Sequence, residues 1–158
     1  MTLPEYITAT RTTDLVNTVK HAALGLISEV GEVYGVLAKI ERGDKIDQAE
    51  RMTGELGDVA WYLARLTDLA AIHPPFMLQC YNYPHDTFDD LAQQISGLGF
   101  MHIHGKPVQD GWYRHAWTRW ARLCQIEGLD PVTVLESNLA KLRDRQARRV
   151  LQGDGDHR

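Results

Sequence analysis

Cysteine is scarce in this chain. Only Cys80 and Cys124 occur among the 158 residues, and no Cys-x-x-Cys motif is present. Small secreted domains usually rely on several disulfides, and structural zinc sites need closely spaced cysteines or histidines. We therefore expect a protein from a reducing compartment without a disulfide framework. The sequence leaves open whether the two cysteines form a single buried disulfide.

Long hydrophobic runs and an excess of positive charge are lacking too. No apolar stretch approaches the roughly 20 residues that span a bilayer, and the opening segment MTLPEYITATRTTD has no apolar run typical of a signal peptide. Lys and Arg number 17 against 21 Asp and Glu, so the net charge is −4 and no bulk positive field attracts nucleic acid or an anionic membrane. We expect a single cytoplasmic domain that binds neither.

Strand patterning is also lacking, since no stretch alternates apolar and polar residues convincingly. Apolar residues instead recur at helical spacing, which predicts an all-α protein. Residues 97–111 contain four glycines and a proline, so we expect a loop or a short extended piece there, and a frayed tail at 152–158. The first predicted helix spans 14 to about 40, with Asp14 as N-cap, and the second spans 47–72 and is ended by His73-Pro74-Pro75. A short helix at 88–96 is begun by Thr87 and Asp90. Two more helices are predicted at 111–127, capped by Asp110 and stopped by Gly128, and from Pro131 onwards, with Asp130 as N-cap.

Two acidic pairs interrupt the apolar pattern of the first two long helices. Glu29 and Glu32 stand in ISEVGEVYG, and Glu55 and Asp58 stand in GELGDVAWY. At about 100° per residue, Glu29 and Glu55 lie at the edge of the apolar arc of their helices. One such pair alone is typical of a solvated face, but two in the same register predict four carboxylates that converge on one spot.

Such a cluster predicts a site for a hard cation. Partly buried like charges are costly unless a cation compensates them, and oxygen ligands suit Mg²⁺ or Mn²⁺. Zinc is disfavoured because neither pair includes His or Cys. A ferritin-like di-iron centre needs a repeated Glu-x-x-His, and this motif does not occur in the chain.

Two glycines lie on the opposite side of the same helices. Gly31 and Gly57 fall about 160° from Glu29 and Glu55. Because glycine costs roughly 1 kcal/mol in a helix interior, a close helix crossing at each position is a plausible reason for it. We therefore expect a bundle of four or more helices, completed by another subunit.

Basic and amide side chains share one face of the last helix. Asn138, Lys141, Arg145 and Arg148 recur at spacings of three and four. Cations near a helix C-terminus also complement the helix dipole, so the pattern alone leaves two interpretations open. Opposite an acidic metal site, this face suits a polyphosphate, and Lys39, about 80° from Glu29, is a further candidate.

Several aromatic and histidine residues are candidates of a weaker kind. Tyr62 shares the face of Glu55, so core packing and contact with a base or sugar stay equally open, and His21 is a candidate base contact. His102 and His104 have no obvious third ligand, which favours ordinary loop histidines over a metal site. Tyr113, Trp117 and Trp120 recur at helical spacing, which favours a core or subunit interface over a stacking platform for nucleic acid.

The two acidic segments resemble the MazG-like, all-α nucleoside triphosphate pyrophosphohydrolases. HAALGLISEVGEV and GELGDVAWYLARL are similar to the family signature Glu-x-x-Glu, spacer, Glu-x-x-Asp, and NLAKLRDR resembles its later Asn-x-x-Lys-Leu-x-x-Arg. EYITATRTT resembles the N-terminal segment faintly. Ser28 stands where many members have a further glutamate, and residues 73–126 form an extra segment without a counterpart in the family pattern.

The resemblance implies a homodimer or homotetramer that hydrolyses an NTP or dNTP to the monophosphate and pyrophosphate. It implies two or more Mg²⁺ ions, replaceable by Mn²⁺, that bind the triphosphate and activate a water for attack on the α-phosphorus. The site residues would be Glu29, Glu32, Glu55 and Asp58 as metal ligands, Glu32 or Glu29 as the group that orients or deprotonates the water, and Lys39, Asn138, Lys141, Arg145, Tyr62 and His21 as substrate contacts.

The substrate is less well defined by the pattern. The compact chain and the GLISEVGEV style favour the phage-type members that act on dGTP and dATP, which would place the protein in a host cytoplasm. A dUTP or dCTP pyrophosphatase is the alternative within the enzyme class. A catalytically inactive helical module that binds a nucleotide or another protein is the alternative outside it.

Overall fold

The secondary structure of the described residues is entirely helical, as the sequence predicts. The computed structural model describes residues 1–74 and 87–150, and no strand occurs in either range. A short 3₁₀ turn, Arg11–Thr13, follows the first helix. The α-helices in these ranges are α1 (Leu3–Thr10), α2 (Val19–Glu41), α3 (Gln48–Leu69), α4 (Phe88–Ile103), α5 (Asp110–Ile126) and α6 (Pro131–Ala147).

The helix termini agree best with the sequence where capping is local. Asp47 caps α3 by accepting a hydrogen bond from the Glu50 amide. Asp130 caps α6 in the same way through the Thr133 amide, with Pro131 at the first helical position. After α5, Gly128 adopts a φ of +72°, which favours glycine.

The predicted N-cap of α2 is wrong by four residues. The helix begins at Val19, and Thr18 rather than Asp14 is its N-cap. Asp14 instead accepts hydrogen bonds from the Val16 and Asn17 amides and from the guanidinium of Arg65 on α3. Asp14 therefore stabilises the loop before α2 and connects it to α3, instead of capping α2.

The segment predicted as a loop at 97–111 is partly helical. Helix α4 continues to Ile103, past the predicted end at residue 96, although Gly97 and Gly99 lower its intrinsic propensity. Gly99 permits close packing on α2, since a Cβ there would lie 2.8 Å from the Ala23 carbonyl oxygen. Asp110 is also the first residue of α5 rather than its cap, because the N-cap is Gln109.

Helix α1 was not predicted from the apolar pattern. Its start nevertheless carries a capping box, in which the Thr2 hydroxyl accepts from the Glu5 amide and the Glu5 carboxylate accepts from the Thr2 amide. Leu3, Tyr6 and Ile7 face inwards and are buried. This short helix therefore adds a buried side to the bundle next to α3 and α6.

Helix α3 lies at the centre of the fold. It packs against α2, α1, α5 and α6, while α4 packs between α2 and α5. Residues from all six helices form one hydrophobic core, so the extra segment at 73–126 contributes α4 and α5 to it. Tyr113, Trp117 and Trp120 of α5 are buried there, which confirms core packing for this stripe.

The predicted close crossing is present at one of the two glycines, Gly57, and absent among the described residues at the other, Gly31. At Gly57 a Cβ would lie 3.0 Å from the Asn138 Cβ, so a close crossing of α3 and α6 is present. At Gly31 a Cβ would meet nothing within 4 Å among the described residues, so no close crossing explains it. The close approach of α2 and α3 occurs instead at Gly25, where a Cβ would lie 2.0 Å from the ring of Tyr62.

Every helix in the described ranges is too short or too polar to cross a lipid bilayer. Cys124 is buried in α5, whereas Cys80 and the frayed tail predicted at 152–158 lie outside the described residues. A pair between the two cysteines therefore stays untested.

Candidate metal centre

Three of the four predicted carboxylates meet between α2 and α3. One oxygen each from Glu29, Glu55 and Asp58 lies within 4.8 Å of the others, and all three residues are partly buried. Their apolar neighbours Leu56 and Val59 are buried in the core, so helical spacing places the acids at the edge of the packed surface. We call these three residues the acidic cluster.

Glu32 is not brought into this cluster. It is exposed on α2, one turn further along from Glu29, and its carboxylate oxygen lies near Gly35. Its charge still contributes to raising the pKa of Glu29. The structure therefore supplies three converging carboxylates, and a role for Glu32 as ligand or base stays a prediction.

The pKa of the Glu29 carboxyl group is strongly perturbed. Burial, followed by the negative charges of Asp58 and Glu55, raises this pKa from the ordinary 4.5 to about 7. The Lys141 ammonium opposes this shift. Like charges at this spacing disfavour full ionisation, which is the electrostatic condition that a bound cation relieves.

Asp58 is held by two residues of α6. The Lys141 ammonium donates to both of its carboxylate oxygens at 2.7 Å, and the Asn138 side-chain amide donates to Oδ1 at 2.9 Å. These two residues are the Asn and Lys predicted on the polar face of the last helix. Gly57 makes the contact sterically feasible, because any side chain there would press on Asn138.

A further bond lies behind Asn138. The hydroxyl of Tyr6, which is fully buried on α1, donates to the Asn138 Oδ1 at 2.9 Å. Burial and the charge of Asp58 raise the pKa of Tyr6 well above its ordinary range. Sequence reasoning missed this residue, since its only signal is a faint similarity in EYITATRTT.

A cavity of about 490 Å³ opens beside the acidic cluster. Acidic residues of α3 line one side, and the polar face of α6 lines the other, including the predicted Arg145. Such a space places cations opposite carboxylates, as a polyphosphate complex with a divalent ion requires. The lining residues are Glu50, Arg51, Thr53, Gly54, Glu55, Asp58, Ser137, Asn138, Lys141 and Arg145.

Three predicted substrate contacts lie outside this lining. Tyr62 packs its ring over Gly25, with His21 edge-on at 5.8 Å between ring centroids. Lys39, near the end of α2, is close enough to help lower the pKa of Asp44, after the larger effect of Arg42. Their assignment as substrate residues receives no support from the cavity and stays a prediction.

The remaining candidates have structural partners. His102 is hydrogen-bonded through Nε2 to the Tyr113 hydroxyl at 2.6 Å, and His104 is bonded to the Phe100 carbonyl. His102 lies in the last turn of α4, His104 is the C-cap residue that follows it, and neither belongs to a metal-ligand group in the described residues. Arg148 pairs with Asp144 on its own helix.

Comparison of the chain with protein-family models, with curated proteins and with solved structures finds no match.

Proposed function

We propose that this protein is a metal-dependent nucleoside triphosphate pyrophosphohydrolase, which converts an NTP or dNTP to the monophosphate and pyrophosphate. The observation that carries the proposal is the acidic cluster, of which Glu55 and Asp58 line one cavity together with Lys141 and Arg145. The sequence resemblance to the MazG-like family supports the same activity. It also favours the purine substrates dGTP and dATP and a homodimeric or homotetrameric assembly.

The acidic cluster fits a hard divalent cation. Three carboxylate oxygens from two adjacent helices lie within 4.8 Å of one another, and burial together with the charges of Asp58 and Glu55 raises the pKa of Glu29, a cost that a shared cation would relieve. Glu29, Glu55 and Asp58 would hold Mg²⁺ or Mn²⁺, with Glu32 available for a second ion. The ion would supply charge neutralisation for the triphosphate and activation of water.

The side chains of α6 would bind and orient the phosphates. Lys141 lies at the cluster itself and Arg145 lines the same cavity, so both cations can contact the outer phosphates. Glu29 is one candidate to orient or deprotonate the attacking water. Glu32 remains the other candidate for this role.

One observation favours a second candidate function. Lys141 already occupies both oxygens of Asp58, so part of the acidic charge is compensated by the chain itself. This arrangement suits an inactive helical module that keeps the acids and binds a nucleotide or a protein. Release of pyrophosphate distinguishes the two functions.

The decisive experiment is a panel of all ribo- and deoxyribonucleoside triphosphates with Mg²⁺ or Mn²⁺, in which monophosphate and pyrophosphate are quantified. We expect metal-dependent turnover, fastest with dGTP or dATP. Glu55→Gln and Asp58→Asn should reduce it by at least about 100-fold, since loss of an outer ligand partner alone costs roughly 10–100-fold. Glu41→Gln, an exposed acid at the end of α2, is the matched control and should retain full activity.

Two results would contradict the proposal. A folded protein that releases no pyrophosphate from any nucleotide would favour the binding module. Full activity in Glu55→Gln would show that hydrolysis, if present, occurs elsewhere. Fastest turnover of dUTP or dCTP would leave the reaction intact and replace the purine preference.

A further inference from the structure

A buried hydrogen-bond chain connects α1 to the acidic cluster. The Tyr6 hydroxyl donates to Asn138 Oδ1 at 2.9 Å, and Asn138 Nδ2 donates to Asp58 Oδ1 at 2.9 Å. Tyr6 is 0% exposed and Asn138 is 3% exposed. We propose that Tyr6 is a positioning residue, which fixes the orientation of the Asn138 amide and thereby holds Asp58 ready to ligate a divalent cation. The inference rests on the metal site of the proposed function.

The chemistry of the amide explains why the hydroxyl matters. An asparagine side chain has an acceptor on one side and a donor on the other, so a flip by 180° exchanges the two. A flipped Asn138 would present its carbonyl oxygen to the Asp58 carboxylate, and two acceptors would repel each other. The Asp58 carboxylate only accepts, so it selects the orientation in which Nδ2 faces it, and the Tyr6 hydroxyl, which donates to Oδ1, anchors the amide in that orientation.

The local packing makes the hydrogen-bond chain from Tyr6 through Asn138 the rigid support of Asp58. Its other partner, Lys141, reaches the carboxylate on a flexible four-carbon stem and is 29% exposed. Asn138 is instead pressed against α3, where the space above Gly57 is too small for a Cβ without displacing it. Hydrogen-bond partners behind metal ligands commonly set ligand orientation and metal affinity.

Tyr6→Phe tests the inference, because it removes one hydroxyl and keeps the buried ring. Mn²⁺ affinity is measured without nucleotide, by the electron paramagnetic resonance signal of free Mn²⁺. We expect an affinity about 10-fold weaker than that of the wild type, as is usual for loss of such a partner. Tyr113→Phe is the matched control, since Tyr113 is equally buried and its hydroxyl bonds to His102, away from the cluster.

A double-mutant cycle separates positioning from general destabilisation. Both tyrosine variants should lower the midpoint of thermal unfolding, but only Tyr6→Phe should weaken Mn²⁺ binding. In an Asn138→Ala background, Tyr6→Phe should have no further effect on Mn²⁺ affinity, because the connecting residue is gone. The side-chain amide resonance of Asn138 gives an independent readout, and it should broaden or shift in Tyr6→Phe without metal.

The outcomes are distinguishable. A Tyr6→Phe affinity within about twofold of the wild type overturns the inference, given the 10–100-fold expected of such partners. An equal loss in Tyr113→Phe, or an additive loss in the Asn138→Ala background, overturns it as well. A wild-type protein that binds Mn²⁺ and shows the expected differences but releases no pyrophosphate overturns only the proposed hydrolysis. A wild-type protein that binds no Mn²⁺ overturns the inference, and release of pyrophosphate then decides separately on the proposed hydrolysis.

Discussion

Glu29→Gln should make the protein more stable at neutral and alkaline pH. In the folded state the pKa of Glu29 is raised from 4.5 to about 7, first by burial and then by Asp58 and Glu55. The folded protein therefore retains a proton that the unfolded chain has lost between these pH values. The stability that this proton contributes is complete below pH 4.5 and is lost as the pH rises through about 7.

The size of the effect follows from the shift. One pKa unit corresponds to about 1.4 kcal/mol, so a shift from 4.5 to about 7 corresponds to about 3 kcal/mol. Glu29 is only partly buried, and solvent screening reduces the expected value to about 2 kcal/mol. Glutamine keeps the shape of the side chain and does not titrate. The variant should therefore not lose this contribution to the free energy of unfolding as the pH rises.

The measurement is urea unfolding of wild type and variant from pH 4 to pH 8 in EDTA, followed by tryptophan fluorescence. The quantity compared is the difference in the free energy of unfolding, because other titrations cancel in it. His102 shows why a difference is needed. Burial lowers the pKa of His102, so its contribution to the free energy of unfolding is lost as the pH falls, whereas that of Glu29 is lost as the pH rises. Glu41→Gln serves as the exposed control and should change stability by less than about 0.5 kcal/mol.

Parallel pH profiles for wild type and Glu29→Gln would refute the reasoning. They would mean that Glu29 ionises in the folded protein as it does in the unfolded chain. The carboxylates would then lie farther apart, or be better solvated, than the structure places them.

Three further substitutions test the packing. Gly25→Ala should lower the free energy of unfolding by about 1–3 kcal/mol in urea titrations, because its Cβ would lie 2.0 Å from the Tyr62 ring. Gly31→Ala, with nothing within 4 Å in the described residues, should raise it by about 0.5–1 kcal/mol, and destabilisation there would contradict the packing of α2. Arg65→Met should cost about 3–5 kcal/mol, since it leaves the buried Asp14 carboxylate without its guanidinium partner at 2.7 Å. A loss below about 1 kcal/mol would show that this ion pair is dispensable.

The features predicted correctly depend on short-range signals. Asp130 caps α6 as predicted, and α3 begins at Gln48, one residue after the predicted start, because Asp47 caps the turn that follows it directly. Glu29, Glu55 and Asp58 converge because helical spacing alone places them beside the apolar arc, and two adjacent helices then need only pack face to face.

The features missed depend on partners far along the chain. Asp14 resembles an N-cap, but Arg65, 51 residues later, engages it and moves the start of α2. Gly99 resembles a loop residue, but contact with α2 keeps it helical. Tyr6 lies 132 residues from its partner Asn138, so no local pattern indicates that its hydroxyl belongs to the site. These positions share one cause: tertiary packing overrides local propensity.

The acidic cluster compensates its like charges in two ways without a metal. Asp58 is neutralised by the Lys141 ammonium, and Glu29 holds its proton up to a pH of about 7. On the proposed function, a divalent cation shared by the cluster would compete with both, so it would displace the proton and weaken the contact with Lys141. Because Lys141 also lines the cavity, its ammonium would then be available to the phosphates. Asn138 is held by Tyr6 and is uncharged, so a cation would not compete with its contact to Asp58. The buried hydrogen-bond chain can therefore persist both with and without a bound metal.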